Sequence, residues 1–426
     1  MTKFLDSQII FMKEKFMKKL RGNAIVGQSG GPTAAINATL AGVIRGAFAD
    51  ECIVKLYGML NGIEGILREN LVCLNDRFAS EEEISRLEHT PAAALGSCRK
   101  KMPDISTGLD TYEKILEVFQ KHDIRYFFYI GGNDSMDTVA KLSAFFANRG
   151  YDIRIIGVPK TIDNDLVLTD HTPGYGTAAK YIAVTTQEII RDCAVYNTPA
   201  VTIVEIMGRN AGWLAAAADI GKYIGRESPD AVYFPEKDFN MESFFEDVEN
   251  ALKKHPNVLI AVSEGIRFAD GRYVGEGQQS GAVDVFGHKY LSGAAKVLEG
   301  AVKERFGCKV RSVELSLPQR CSSHVASETD LCESVMIGKA AVAAAADEGV
   351  TGVMMAYRRI SEKPYKIDVI YSDVSKIANE VKELPDEYIN ERGNGITAEC
   401  ADYILPLIQG EAYPEYIDGV PSYFII

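Results

Sequence analysis

The chain of 426 residues is poor in the patterns that build metal cages and disulfide frameworks. Its eight cysteines (Cys52, Cys73, Cys98, Cys193, Cys308, Cys321, Cys332, Cys400) include no C-x-x-C pair, and its six histidines no H-x-x-x-H pair. That excludes a zinc site of ordinary spacing and fits reduced thiols in a cytosolic protein. An oxygen-bound Mg²⁺ leaves no such trace and stays open. No apolar run approaches the ~18–20 residues of a membrane span. The opening stretch, MTKFLDSQIIFMKEKFMKKLRG, threads charges through its apolar residues and lacks the unbroken apolar core of a secretory signal. The expectation is a cytoplasmic protein. Cations are also in deficit: 46 Lys+Arg stand against 59 Asp+Glu, a net charge of −13. That argues against a nucleic-acid or anionic-membrane partner, but not against a small anion met by a local cluster of cations.

What is present is ordinary globular composition, 46% hydrophobic and 25% charged, at a length that suggests two to three domains. Short β-rich runs at 23–28, 53–57, 126–130, 153–158, 201–205, 258–263, 310–315 and 353–357 are predicted strands. Helical spacing occupies 34–49, 112–122, 135–148, 177–193, 241–255, 290–306 and 331–347, with Gly307 as a C-terminal cap. Strand and helix in alternation predict an α/β protein with mostly parallel sheets and helices on both faces. The stretch after about Asp373, richer in Tyr, Pro and Glu, reads as an appended cap or an insertion.

Ligands of open α/β sheets bind beyond the carboxyl ends of the strands, so the loops there deserve the closest reading. Gly27-Gln28-Ser29-Gly30-Gly31-Pro32-Thr33 can bring backbone N–H groups to a phosphate ahead of a helix N-terminus. Gly27-x-Ser29-x-Gly31 also matches a hydrolase nucleophile elbow, but an elbow normally follows several strands and an oxyanion loop, and neither precedes this one. Gly131-Gly132-Asn133-Asp134-Ser135 suits either a polyphosphate with Mg²⁺ or a plain capped helix start. Pro159-Lys160-Thr161-Ile162-Asp163-Asn164-Asp165 is the strongest signal: no core needs a lysine and two aspartates at a strand end. One aspartate there can take a proton from an attacking hydroxyl while the lysine neutralises a phosphoryl group. Met207-Gly208-Arg209-Asn210 offers a planar bidentate cation, and Ser263-Glu264-Gly265 a carboxylate for a hydroxyl. Arg311 and Arg320, taken singly, are better explained by surface ion pairs than by a ligand, and the basic run Arg99, Lys100 and Lys101 is equally readable as a solvated face.

Read together, GGPTAAIN (30–37), LGSCRKK (95–101), GGNDS (131–135), PKTIDND (159–165), IMGRNAG (206–212), SEG (263–265) and PQR (318–320) resemble the phosphofructokinase family, in the family's order and over roughly 23–360. The resemblance implies two similar Rossmann-like three-layer domains with the active site in the cleft between them. It divides the chain into a diphosphate domain (23–175 plus about 320–372), a fructose 6-phosphate domain (176–319), an N-terminal extension (1–22) and a C-terminal cap (373–426) packed on both. It implies Mg²⁺-dependent phosphoryl transfer to the 1-hydroxyl of fructose 6-phosphate, with Asp163 as base beside Lys160 and Thr161. The sugar phosphate would meet Thr161, Asp163, Asp165, Met207, Gly208, Arg209, Glu264, Arg311 and Arg320, the last two as a 6-phosphate clamp. The donor would meet Gly30, Gly31, Arg99, Lys100, Gly132, Asp134 and Lys160, and the metal Asn133 and Asp165.

Two positions separate donors within the family. ATP-using members carry glycine at the positions of Asp134 and Lys160, and diphosphate-using members carry Asp and Lys, as here. A carboxylate at Asp134 would repel a nucleotide's α-phosphate, and Lys160 adds charge where a bare diphosphate needs it. Three residues depart from the pattern. Asn133 replaces an aspartate that assists the metal. Leu317 stands where relatives often have His or Tyr. Ala200 stands where many bacterial tetramers carry an arginine that reaches the neighbouring subunit's site. The expected assembly is a homodimer or homotetramer. The alternatives are ATP as donor, a non-catalytic sugar-phosphate-binding subunit, or a lipid or dinucleotide kinase sharing only a GGD-like loop.

Overall fold

The computed structural model describes residues 19–276, 293–378 and 380–426. Most of the expected N-terminal extension, residues 1–18, and the expected opening of one helix at 290–292 lie outside these. Twelve strands and seven principal helices frame the site. The strands are β1 (Gly22–Gln28), β2 (Ile53–Met59), β3 (Leu71–Cys73), β4 (Ile124–Gly131), β5 (Arg154–Pro159), β6 (Ala200–Ile206), β7 (Ala231–Tyr233), β8 (Asn257–Ser263), β9 (Lys309–Glu314), β10 (Ala326–Ser327), β11 (Val353–Glu362) and β12 (Tyr365–Asp373). The helices are α1 (Ile36–Ala49), α2 (Leu109–Lys121), α3 (Asn133–Arg149), α4 (Tyr175–Cys193), α5 (Met241–Leu252), α6 (Ala294–Phe306) and α7 (Glu328–Ala346).

Two sheets carry the fold. A seven-stranded sheet runs β12-β11-β5-β4-β1-β2-β3, and a four-stranded sheet runs β7-β8-β6-β9. Every pairing is parallel except β2 with β3 and β11 with β12 in the larger sheet. Alternation along the central strands builds one core on each face. In β4, Tyr126, Phe128 and Ile130 join one apolar cluster while Phe127 and Tyr129 join the other. All eight expected strands are present, and β11 continues into a hairpin with β12 that the apolar pattern did not reveal.

Close packing holds α1 against α7. A Cβ on Gly42 would lie 2.2 Å from the Val335 carbonyl oxygen, and one on Gly338 would lie 2.2 Å from that of Thr39. Helix α6 ends at Gly307, whose φ of 64° is the left-handed cap that glycine favours. The chain after Asp373 touches both halves: Leu384, Ile389, Ile396, Cys400 and Ile404 enter the core beside Trp213, while Phe424 and Ile426 pack on the core of the larger sheet.

Behind the β5 loop lies a buried ionic network. His171, 2% exposed, holds Asp170 through Nδ1 at 2.9 Å and Glu333 through Nε2 at 2.7 Å. Arg359 reaches the same Asp170 at 3.0 Å. Burial works against charge on His171, but the hydrogen bonds to Asp170 and Glu333 prevail and raise its pKa. A histidine raised in the folded state stabilises fully below its unfolded value of about 6.5, and that contribution disappears as pH climbs through the folded value. Removing one partner of a buried pair costs on the order of 3–5 kcal/mol. Glu333→Gln should approach that loss in denaturant unfolding at or below pH ~6.5, with the gap to wild type narrowing as pH rises. A gap that is independent of pH would refute the assignment of charge to His171.

Candidate active site

The loops singled out by their charges converge. Beyond the carboxyl ends of β1, β4 and β5, a cavity of ≈ 430 Å³ is lined by Gly30, Gly31, Arg99, Lys100, Gly132, Asn133, Asp134, Lys160 and Val381, among others. A second cavity of ≈ 310 Å³ opens toward the smaller sheet, where Met207, Arg209, Glu264 and Arg320 line it. Gly31, Arg99, Lys160, Thr161, Asp163, Asp165 and Asn210 line both. Together the two make one cleft between the sheets, with the β5 loop as its dividing wall.

Local geometry explains how each side chain gets there. Strand β5 ends with the Lys160 N–H on the Gly131 carbonyl at 3.0 Å, which joins two of the loops. The Lys160 ammonium then crosses to the Gly31 carbonyl at 2.8 Å. The Gly30 N–H meets the Cys98 carbonyl at 3.1 Å and the Ser97 hydroxyl returns to the Gly30 carbonyl at 2.6 Å, which sets Arg99 at the rim. Asn164 takes φ 55°, a left-handed turn that asparagine tolerates, and its amide donates to the Tyr403 hydroxyl at 2.9 Å. The turn keeps Asp163 and Asp165 both on the cleft. The Thr161 hydroxyl donates to Asp163 Oδ2 at 3.2 Å. In the smaller sheet the Glu264 N–H donates to the Ile206 carbonyl at 2.8 Å, and the Gly208 N–H donates to Glu264 Oε1 at 3.3 Å. A Cβ on Gly265 would lie 2.0 Å from the Arg209 carbonyl oxygen, so these two loops approach closely only because that residue is glycine.

Burial shapes the electrostatics. It lowers the Lys160 pKa to about 8, although Asp163 and Asp165 pull it upward. It raises Asp163 against the Thr161 hydroxyl and the charges of Lys160, Arg320 and Arg209. Burial and the Asp163 charge lift Asp165 to about 7, and burial carries Glu264 to about 8. Burial and the neighbouring Arg99 lower Arg320. Partly desolvated cations, beside carboxyls whose pKa values burial has raised, make a cleft suited to a polyanion and to a proton acceptor.

One expected residue stays away. Arg311 lies near the start of β9, paired in register with Thr202, whereas the cleft lies beyond the strands' carboxyl ends. Its guanidinium faces Asp192 Oδ2 at 3.6 Å and lines neither cavity, so in the single chain Arg320 reaches the cleft and Arg311 does not. Gly208 contributes its backbone N–H to Glu264 rather than a cavity wall. Asn133 lines the larger cavity but gives its amide N–H to the Glu380 carbonyl at 2.6 Å, a use the metal expectation did not include. Lys101, Asn210 and Val381 were not assigned to the cleft; the first two lie within the motifs at 95–101 and 206–212, and no local signal marks the third. A wider depression of ≈ 980 Å³ elsewhere carries Asp170, Glu362, Glu399 and Asp402 against Arg359 and Lys363, the wrong sign for an anion.

Residues 23–345 match the family model described as Phosphofructokinase. A pyrophosphate–fructose 6-phosphate 1-phosphotransferase of Halomonas elongata is 43% identical over 403 residues, covering 94% of this chain and 95% of that one. The enzyme of that name from Methylococcus capsulatus is 42% identical over 406 residues, with 94% and 95% covered. The crystal structure of a pyrophosphate-dependent phosphofructokinase from Nitrosospira multiformis superposes with a TM-score of 0.85 at 41% identity, covering 94% of this chain and 95% of that one.

A cleft with this charge should bind simple phosphates in the absence of any other substrate. Inorganic diphosphate at saturating concentration should raise Tm, as any ligand selective for the folded state does. Lys160→Met should lose most of that rise. An equal shift in both proteins would show that the cleft is not where diphosphate binds.

Proposed function

The chain belongs to the phosphofructokinase family, and on that premise we propose that it transfers a phosphoryl group reversibly from diphosphate to the 1-hydroxyl of fructose 6-phosphate. The products are fructose 1,6-bisphosphate and phosphate. The observation that carries this reading is the division of one cleft by the Lys160–Asp165 loop, with a glycine-rich cationic cavity on one side and Met207, Arg209, Glu264 and Arg320 on the other. The donor occupies the first cavity, lined mainly by the 23–175 portion. The sugar phosphate occupies the second, where that portion meets Met207, Arg209 and Glu264 of the 176–319 portion and Arg320.

Asp163 accepts the proton of the 1-hydroxyl as that oxygen bonds to the nearer phosphorus, and the bridging P–O bond breaks to release phosphate. The Thr161 hydroxyl on Oδ2 orients the carboxylate. Burial, which raises the pKa of Asp163, makes it a stronger base than an exposed aspartate. Lys160, Arg99 and Lys100 neutralise charge on the donor, and Arg209 and Arg320 hold the acceptor's phosphate. Catalysis rests on positioning and charge rather than on covalent participation by the protein.

Mg²⁺ fits this set of groups. Asp163 and Asp165 both line the cleft, and among the described residues no group of three or more His, Cys, Asp or Glu could by itself hold a metal. Such a site suits an ion that takes one or two carboxylates and draws its remaining ligands from phosphates and water. Asp165 would hold it, and when bound it supplies further neutralisation of phosphate charge. The site lies in the cleft of a protein acting on small molecules in the cytoplasm, as a homodimer or homotetramer.

Donor choice follows from Asp134 and Lys160, which both line the donor cavity. Assayed with diphosphate, ATP and polyphosphate, the purified chain should form product with diphosphate; activity with ATP only would reverse the donor assignment, and none at all would favour a binding subunit. Asp134→Gly combined with Lys160→Gly should weaken diphosphate use, and unchanged kinetics would remove the physical basis of the choice. Asp163→Asn should lower kcat by about 10²–10⁴ at unchanged Tm.

A further inference from the structure

A short piece of the C-terminal chain crosses the cleft and is pinned on both sides. The Glu380 carbonyl accepts the Asn133 amide at the start of α3, at 2.6 Å. Two residues on, the Lys382 N–H donates to the Asp165 carbonyl at 2.8 Å. The Lys382 carbonyl accepts the Trp213 indole N–H at 3.0 Å, and the Leu384 N–H donates to Glu236 Oε1 at 2.9 Å, the oxygen that also takes the Gly212 N–H at 2.7 Å. Between the first two anchors, Val381 faces the donor cavity.

The lysine side chain adds a second tie. Its ammonium lies 2.6 Å from the Asp170 carbonyl, 3.3 Å from that of Thr169 and 3.4 Å from Asn164 Oδ1, and it sits 5.0 Å over the Trp213 ring. All three oxygens belong to the loop that follows Asp163. A half-buried cation satisfied by one loop makes that loop's shape and the cation's position conditional on each other.

Reach makes this a constraint on geometry. Two residues of extended chain span at most ~7 Å. The start of α3, which carries Asp134, and the backbone of the Asp163 loop therefore cannot separate while both anchors hold. The amide at Asn133 also gains a reason. An aspartate there has no N–H to give and would set a carboxylate oxygen against the Glu380 carbonyl.

We propose that Asn133 and Lys382 are positioning residues, acting through the 380–384 strap to fix the donor loop relative to the loop that carries Asp163. The proposal rests on the reading of the cleft given above. It assigns Asn133 to the strap rather than to the metal. Loss of either anchor leaves the groups that grip the phosphates in place, so substrate affinity should hold while alignment for transfer degrades. Misplacement by about 1 Å is enough to cost ~10²-fold in rate.

The test compares Asn133→Ala, Asn133→Asp, Lys382→Met and the double variant Asn133→Ala/Lys382→Met, at temperatures well below each Tm. The expected result is kcat lower by at least ~10-fold with both KM values within ~3-fold, the pattern of an interaction made in the transition state. The double variant should be no slower than its slower parent, because both changes release one strap. Amide exchange over residues 163–170 should rise in Lys382→Met, a measurement that needs no donor. Should wild type use ATP instead of diphosphate, the same comparisons run with ATP, which separates failure of the donor assignment from failure of the strap. Wild-type kcat in the variants, or losses that multiply in the double variant, would overturn the proposal. So would an Asn133→Asp enzyme that keeps its rate and saturates at lower Mg²⁺, because that result returns position 133 to the metal.

Discussion

A buried ammonium has to be met by oxygen, and Lys160 meets that demand where three strands of the larger sheet end. At 3% exposure it has little water to fall back on, and its Nζ is held by the Gly31 carbonyl. Gly30 takes φ 79°, and a Cβ there would lie 3.1 Å from that same nitrogen, so glycine at this position gives the first loop its turn and its room beside the lysine. The Lys160 backbone is fixed meanwhile to Gly131. One residue thus gathers the loops after β1, β4 and β5 into a single wall, and the remaining charge balance comes from Asp163 and Asp165 on its far side. The balance is poor without a ligand. Burial has lowered the lysine and raised both aspartates, so a bound polyanion would favour the charged form of Lys160 and oppose that of the carboxylates.

This local economy runs against the molecule as a whole. A chain of net charge −13 concentrates Arg99, Lys100, Lys101, Lys160, Arg209 and Arg320 around one cleft. The acidic remainder keeps the surface soluble and repels polyanions elsewhere, and the cleft focuses a field of opposite sign on a small dianion. Parallel sheets make this possible, since their strands deliver every chemistry-bearing loop to the same side. Arg311 illustrates the rule by exception. It stands on a strand of the right sheet but near its start, where its guanidinium faces Asp192 at the surface.

What could be read from the sequence follows the same physics. β1, β4, β5, β6 and β8 announced themselves because strands buried on both faces must be apolar throughout. The β5 loop stood out because a lysine and two aspartates at a strand end have no packing role. β12 was hidden because an outer, half-exposed strand mixes Lys366, Asp368 and Tyr371 among its apolar residues, and β3 and β7, at three residues each, are too short for any period to register. The misplacement of Arg311 has a different origin: spacing along a chain says which loop a residue is near, and not how far along its strand it points toward a site.

The strap shows why the C-terminal region was the least legible part. Chain that crosses a cleft buries few apolar side chains, so it leaves no hydrophobic rhythm to detect. Its backbone N–H and carbonyl groups nevertheless need partners wherever water is excluded. Their partners are polar atoms scattered through the rest of the sequence: the Asn133 amide, the Trp213 indole, the Glu236 carboxylate and the Asp165 carbonyl. The one tryptophan of the chain is therefore more than a core residue, since it offers its face to Lys382 and its N–H to the strap. A residue chosen to satisfy a crossing backbone carries its meaning at the distance of the crossing. The unusual asparagine in the donor loop becomes intelligible only when the carbonyl of Glu380, 247 positions away, is set beside it.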